Sequence, residues 1–200
     1  VALAHVAAVT SRLKLLTYLA VLPYRNPLSL AKSAATVDKL SNGRFILGVG
    51  TGYLKAEYFA LGVDFEERNV LFDEALDVLP LHWAGEPFDY QGTHFSCRDT
   101  IGLPRPVQQP IPIWIGGNAS LTIRRVAERA QGWMPLIGPE GMFSTVRSPS
   151  MTSVDDVVDR LHMLKRLAGD RFTNLDIVLS YSDSSIYETS VDVERHRDTL

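Results

Sequence analysis

The sequence predicts an α/β fold made of parallel strand and helix units. Two observations carry this. Short continuous apolar runs of the kind found in strands buried on both faces alternate with stretches of helical periodicity, and several of these runs end in glycine close to a residue that can start a helix. Strict alternation of this type builds either a closed (β/α)8 barrel or an open doubly wound sheet. With 200 residues and 46% hydrophobic content, the chain can bury a sizeable core in a single domain.

In chain order, residues 2–10 read as the end of a helix, and "LKLLTYLAVL" from Leu13 as a first strand near 13–20. Asn26 can cap a helix that begins at Pro27, carries Leu30, Ala31, Ala34, Val37 and Leu40 on one face, and stops before Gly43. "RFILGVG" gives a second strand at 45–49. A short helix over 55–61 precedes a longer one over 66–84, which Pro80 should kink or end. "FDYQGTHF" alternates apolar and polar residues around Gln91-Gly92 and predicts a small hairpin inserted near 86–96. "IWIGG" is a third strand at 112–115, with Asn118 placed to cap the helix after it. "WMPLIG" supplies a fourth at 133–137. Ser153 and Asp156 form a capping-box pattern before an amphipathic helix closed by Gly169. "LDIVLSY" is a fifth strand at 175–181, and a further helix begins near Val191.

Composition excludes several classes of function. A net charge of -3 with dispersed lysines and arginines offers no basic stripe for nucleic acid. No segment approaches the length of uninterrupted apolar sequence a membrane span needs, since Lys14, Pro23 and Arg25 break the most apolar region. The single cysteine, Cys97, rules out an intrachain disulfide and a cysteine metal cluster, in keeping with a reducing cytoplasm. The opening "VALAHVAAV" has neither a basic leader nor an initiating methionine, so the chain reads as beginning within a domain.

The glycines Gly48, Gly50 and Gly52 raise the question of a nucleotide loop. A dinucleotide fingerprint would need a third glycine where Tyr53 stands, and no Gly-Lys-Ser/Thr follows for a P-loop. The plainer reading is a tight strand exit. Bare amides also converge at Gly116-Gly117-Asn118 and Ile137-Gly138, and strand ends are where both architectures bind ligands, with a helix start favouring an anion. Acid-base groups are sparse. The five histidines have no metal-ligand spacing, no Ser-His-Asp set can be assembled, and no catalytic residue or metal site is assigned. Amides that fit phosphate, with few reactive side chains, suit a cofactor that supplies the chemistry itself.

Four ordered motifs, "LPYRNPLSLAKSAATVDKLSNGRFILGVGTGY", "LGVDFEERNVLFDEAL", "LPRPVQQPIPIWIGGNAS" and "AERAQGWMP", resemble the luciferase-like monooxygenase family, and within it the coenzyme F420-dependent oxidoreductases. The resemblance implies a TIM barrel. It also implies that residues 1–200 form one partial barrel domain, incomplete at both ends, with two strands expected before residue 1 and an eighth after Tyr181. The five strands counted here would then leave the sheet open, and the isolated chain weakly binding, poorly active and prone to aggregate through its exposed edges. Gly50, Thr51 and Gly52 would let a flavin-type ring approach the backbone, while Gly116, Gly117 and Asn118 would cradle phosphate. A non-prolyl cis peptide, by position Thr17 to Tyr18, would lie behind the ring. The implied activity is hydride transfer between reduced F420 and a small organic substrate. The alternatives are an FMN-dependent monooxygenase using oxygen and a cofactor-binding module without turnover. The resemblance leaves room for a homodimer of the full-length protein. Two departures stand out: Gln131 where relatives commonly carry Asp before Gly-Trp, and Leu136 where some carry a hydroxyl.

Overall fold

The computed structural model describes residues 1–179. Helix α1 (Ala2–Val9) leads to two short strands, β1 (Leu15–Leu16) and β2 (Ala20–Val21), where the sequence predicts one. Both run parallel to β3 (Phe45–Gly50), with Leu16 opposite Ile46 and Ala20 opposite Val49. The chain takes four steps from Leu16 to Ala20 and three from Ile46 to Val49, so one extra residue bulges between β1 and β2. The cis peptide lies in this bulge at Tyr18-Leu19, one bond later than the expected Thr17-Tyr18.

Helix α2 (Pro27–Leu40) starts as its sequence dictates: the Asn26 Oδ1 accepts from the amides of Leu28 at 3.0 Å and Ser29 at 3.3 Å. Its buried face centres on Ala31, Ala34, Ala35 and Asp38, while Leu40, expected inward, is 56% exposed. Small residues there let α2 approach α4 (Arg68–Ala84), whose Trp83 indole donates to the Ala31 carbonyl at 3.0 Å. Pro80 does not end α4, one of the two outcomes expected of it: the helix runs on to the left-handed Gly85, because buried Leu79, His82 and Trp83 hold the turn that follows the proline. A short α3 (Lys55–Ala60) precedes it.

The hairpin of β4 (Pro87–Gln91) and β5 (Ser96–Ile101) is antiparallel and reaches past the predicted 86–96. Its turn occupies residues 92–95 instead of Gln91-Gly92, since the buried Glu74 carboxylate on α4 accepts the amides of Thr93 at 2.6 Å and of His94 and Phe95 at 3.0 Å. These bonds outweigh the burial that would raise its pKa and hold the carboxyl below its ordinary value.

The chain continues with β6 (Ile113–Gly116), α5 (Ser120–Arg129), β7 (Gly132–Met134), an unforeseen α6 (Glu140–Val146), α7 (Val154–Ala168) and β8 (Asp176–Ile177). The capping box of Ser153 and Asp156 forms as read. The end of the strand expected at 175–181 and the helix expected near Val191 lie outside the described residues.

All six core strands are parallel, in the order β1-β3-β6-β7-β8 with β2 also on β3. Among the described residues the sheet stays open, as the count of strands predicts. Alternate residues feed two cores. Phe45, Leu47, Val49, Ile113, Ile115 and Trp133 pack outward against the helices, whereas Leu16, Ile46, Trp114, Met134 and Val178 gather on the inner face. At the amino-terminal end of the sheet Arg44 donates to the carbonyls of Ala7, Thr10, Leu13 and Ser41 at 2.6–3.0 Å, tying the end of α1 to the end of α2. Gln131 donates its backbone N–H to the Ile113 carbonyl and accepts from the Ile113 amide through its side-chain Oε1, both at 2.9 Å.

Candidate functional site

The carboxyl ends of β3 and β6 are built of glycine on the inner face, and the crowding there says why. A Cβ on Gly48 would stand 2.0 Å from the Thr17 carbonyl, and Cβ atoms on Gly50 and Gly116 would meet the Leu19 methyls at 2.9 and 2.7 Å. The Leu19 side chain, delivered by the bulge, therefore lies across both glycines. Gly52 is constrained twice: its φ is +73°, and a Cβ would come within 2.7 Å of Val21 Cγ1.

The intervening Thr51 is fixed from behind. Its carbonyl accepts from the hydroxyl of Tyr58, a fully buried ring whose phenol burial pushes up to about 12. Tyr58 stacks edge-on with Tyr24 at 4.7 Å and with Phe65 at 5.1 Å. The Tyr24 hydroxyl donates to Glu57 at 2.9 Å; its pKa is raised by burial first and by Glu57 second.

Across the cavity, Gly117 adopts φ +116° with open space in front of it, the nearest atom to an added Cβ being Thr122 Oγ1 at 3.5 Å. Its amide donates to the Met134 carbonyl at 3.2 Å and its carbonyl accepts from the Trp133 indole at 2.9 Å. Asn118 does not cap α5 as expected. Its side chain is fully buried, donates to the carbonyls of Leu136 at 2.8 Å and Pro149 at 3.0 Å, and accepts from the Leu136 amide at 2.9 Å. With three partners satisfied, this amide is a clamp between loops. The N-cap position is Ala119, and no side chain caps α5, so the first-turn amides lie uncapped beside the cavity.

These parts enclose one cavity of about 470 Å³. Tyr18, Gly50, Thr51, Gly52, Gly116, Gly117 and Asn118 all line it. Thr17 does not: its hydroxyl donates to the Gly48 carbonyl at 2.8 Å, under the floor. The sequence reading missed Leu19 and Met134 in the floor, and Phe65, Arg68, Asn69, Arg125 and Arg147 nearer the mouth. Arg68 and Arg125 follow the carboxyl ends of β3 and β6 on the first or second turn of a helix, which was the available signal. Arg125 is buried and bidentate to Asp73 at 2.7 and 2.8 Å, so its charge is matched. Among the described lining residues there is no carboxylate, imidazole or thiol. The cavity can hold and orient a molecule with an apolar face.

No group of three metal-binding side chains occurs among the described residues, and no described helix is long and apolar enough to cross a membrane.

The sequence profile described as luciferase-like monooxygenase matches residues 1–147. An uncharacterized protein of Mycobacterium tuberculosis is 37% identical over 131 residues, 66% of this chain and 45% of that protein. The F420-dependent glucose-6-phosphate dehydrogenase of Microbacterium testaceum is 30% identical over 159 residues, 78% of this chain and 45% of that protein. The chain thus spans about half the length of these relatives. Among solved structures, a monooxygenase of Streptomyces bottropensis superposes with a TM-score of 0.76 at 26% identity, covering 92% of this chain and 55% of the other. The coenzyme F420-dependent tetrahydromethanopterin reductase of Methanopyrus kandleri gives 0.72 at 22%, covering 88% and 52%.

Proposed function

Because this chain belongs to the luciferase-like monooxygenase family, whose members are oxidoreductases, we propose that its cavity holds coenzyme F420 for hydride transfer, from the reduced cofactor to a small organic substrate or from the substrate to the oxidised cofactor. The observation that carries this reading is a cavity of about 470 Å³ at the carboxyl ends of β3 and β6, with an apolar floor of Leu19 and Met134 and the open face of Gly117 beside it. A planar ring can lie against such a floor, and Gly50 and Gly116 lack a Cβ where the Leu19 side chain that forms it must pass. The relative named as an F420-dependent dehydrogenase adds support from sequence.

A deazaflavin has carbon in place of the flavin N5, so it supplies two-electron hydride chemistry. The protein's part is placement. Leu19 and Met134 back the floor, Tyr58 fixes the Thr51 carbonyl, and the uncapped start of α5 gives phosphate a set of N–H donors, with the open face of Gly117 leaving room for its approach. Asn118 serves indirectly, by holding the loops around Leu136 and Pro149.

An FMN-dependent monooxygenase is the second reading, favoured by the 26% identical monooxygenase. A module that binds cofactor without turnover is the third, favoured by the lack of a carboxylate or imidazole among the described lining residues. Parallel titration with F420 and FMN, followed by fluorescence quenching, separates the first two. Tighter F420 binding is expected; equal or tighter FMN binding favours the monooxygenase. Cofactor binding with no turnover of any candidate alcohol, aldehyde or sugar phosphate favours the third.

A further inference from the structure

Three cations surround one aromatic ring at the cavity mouth. Arg68 Cζ lies 4.0 Å from the Phe65 centroid, Lys55 Nζ 4.8 Å and Arg147 Cζ 5.6 Å. Phe65, Arg68 and Arg147 line the cavity itself. Among the described residues one carboxylate answers them: Glu66, whose side chain is 70% exposed, sits 3.2 Å from Lys55 and 3.6 Å from Arg68. Arg147 has no carboxylate within ion-pair distance among the described residues, while nearby Arg125 is already matched by Asp73. Like charges repel when they gather, and the Phe65 face offsets this only in part. The cluster carries an excess of two positive charges, and its members Arg68 and Arg147 face a space large enough for a ligand, with Lys55 beside them on the same ring.

We propose that Lys55, Arg68 and Arg147 form an anion subsite at the cavity mouth, which takes the carboxylate or phosphate oxygens of a charged extension on the bound molecule. Guanidinium groups held over the Phe65 ring present N–H donors suited to such oxygens. The subsite rests on the reading of this cavity as a ligand site. Its anion belongs either to the cofactor beyond its ring or to the substrate.

Inorganic pyrophosphate is the probe, with binding followed by calorimetry and by the Nε–Hε signals of the arginines. The protein should bind it saturably, and Arg147→Gln and Lys55→Gln should each weaken it roughly tenfold or more. Arg166→Gln, on exposed α7, should leave it unchanged. Should Arg147→Gln lower the melting temperature, Lys55→Gln, on an exposed side chain, still decides. Affinity equal in the wild type and both folded variants overturns the proposal. A second arm identifies the source of the anion. If Arg147→Gln weakens F420 but not the corresponding deazaflavin lacking phosphate, the anion is the cofactor's. If pyrophosphate still binds beside saturating cofactor, whose own affinity the variant leaves unchanged, the anion is the substrate's. Absence of any F420 or FMN binding would sink the cofactor reading while the pyrophosphate result stood.

Discussion

The Tyr58 hydroxyl donates to the Thr51 carbonyl, which links a fully buried ring of α3 to the backbone between Gly50 and Gly52. Removing that hydroxyl leaves the carbonyl without its protein donor and lets the segment shift. Tyr58→Phe should cost about 1 kcal/mol of stability and weaken cofactor binding several-fold, roughly in proportion to lost preorganisation. Thermal melts and a fluorescence titration on one preparation check both. Unchanged affinity would free Thr51 from any role at the site.

Gly52→Ala adds a Cβ in a left-handed conformation and against Val21 Cγ1. The combined strain and overlap should cost about 2 to 4 kcal/mol. Gly117→Val differs, because its added atoms meet open cavity, with Thr122 Oγ1 at 3.5 Å as the nearest neighbour. Its chief effect beyond backbone strain should be weaker cofactor binding. Denaturant unfolding beside ligand titration distinguishes the two substitutions. Intact affinity in a folded Gly117→Val protein would remove this glycine from the site.

Glu74 makes the hairpin turn sensitive to acid. Its folded pKa is below the ordinary 4.5, so the unfolded chain takes up the proton first as pH falls. The stability it contributes is complete above about pH 4.5 and is lost below that value as pH falls through the folded pKa. Glu74→Gln should destabilise the protein by about 1.5 to 3 kcal/mol at neutral pH and flatten this acid limb, as urea midpoints measured across pH would record.

His82 acts in a higher pH window. Burial first, and the charge of Lys32 second, hold its pKa below 6.5, and its Nδ1 has no hydrogen-bond partner among the described residues. Protonation is therefore easier in the unfolded chain. Stability should be unaffected above about pH 6.5 and decline as pH drops below it. His82→Phe, which keeps a ring and removes the unpaired nitrogen, should abolish that slope; a slope that persists would assign it to another group.

The alternation of strands and helices was legible because local rules governed it. Asn26, Ser153 and Gly169 sit where capping chemistry requires, and the glycine-ended runs became the inner wall of one cavity. The misreadings have a common physical origin in contacts between residues distant in sequence. Glu74 sets a hairpin turn 19 to 21 residues away, and Asn118 turns from its own helix toward Leu136 and Pro149. Pro80 stays helical because tertiary burial outweighs its local cost. The resemblance implied a cis-peptide bulge at the end of "LLTYLA", but Leu19 was missed as a floor residue because nothing in those letters says which side chain the bulge delivers. Arg68 and Arg147 went unnoticed because their shared partner, Phe65, is revealed only by folding.

The extra residue between β1 and β2 also changes the phase of the pleat. Leu16, opposite Ile46, belongs to the interior, and so does Val21, opposite Gly50. Even positions face inward before the bulge and odd positions after it. A one-residue deletion anywhere in 17–19 would let the strand pair with β3 without a bulge, keeping Val21 opposite Gly50 but removing the bulge that delivers Leu19 across Gly50 and Gly116, while a substitution at the same places would leave the bulge intact. What this segment encodes is a count as much as a composition, so it should tolerate a change of letter far better than a change of length.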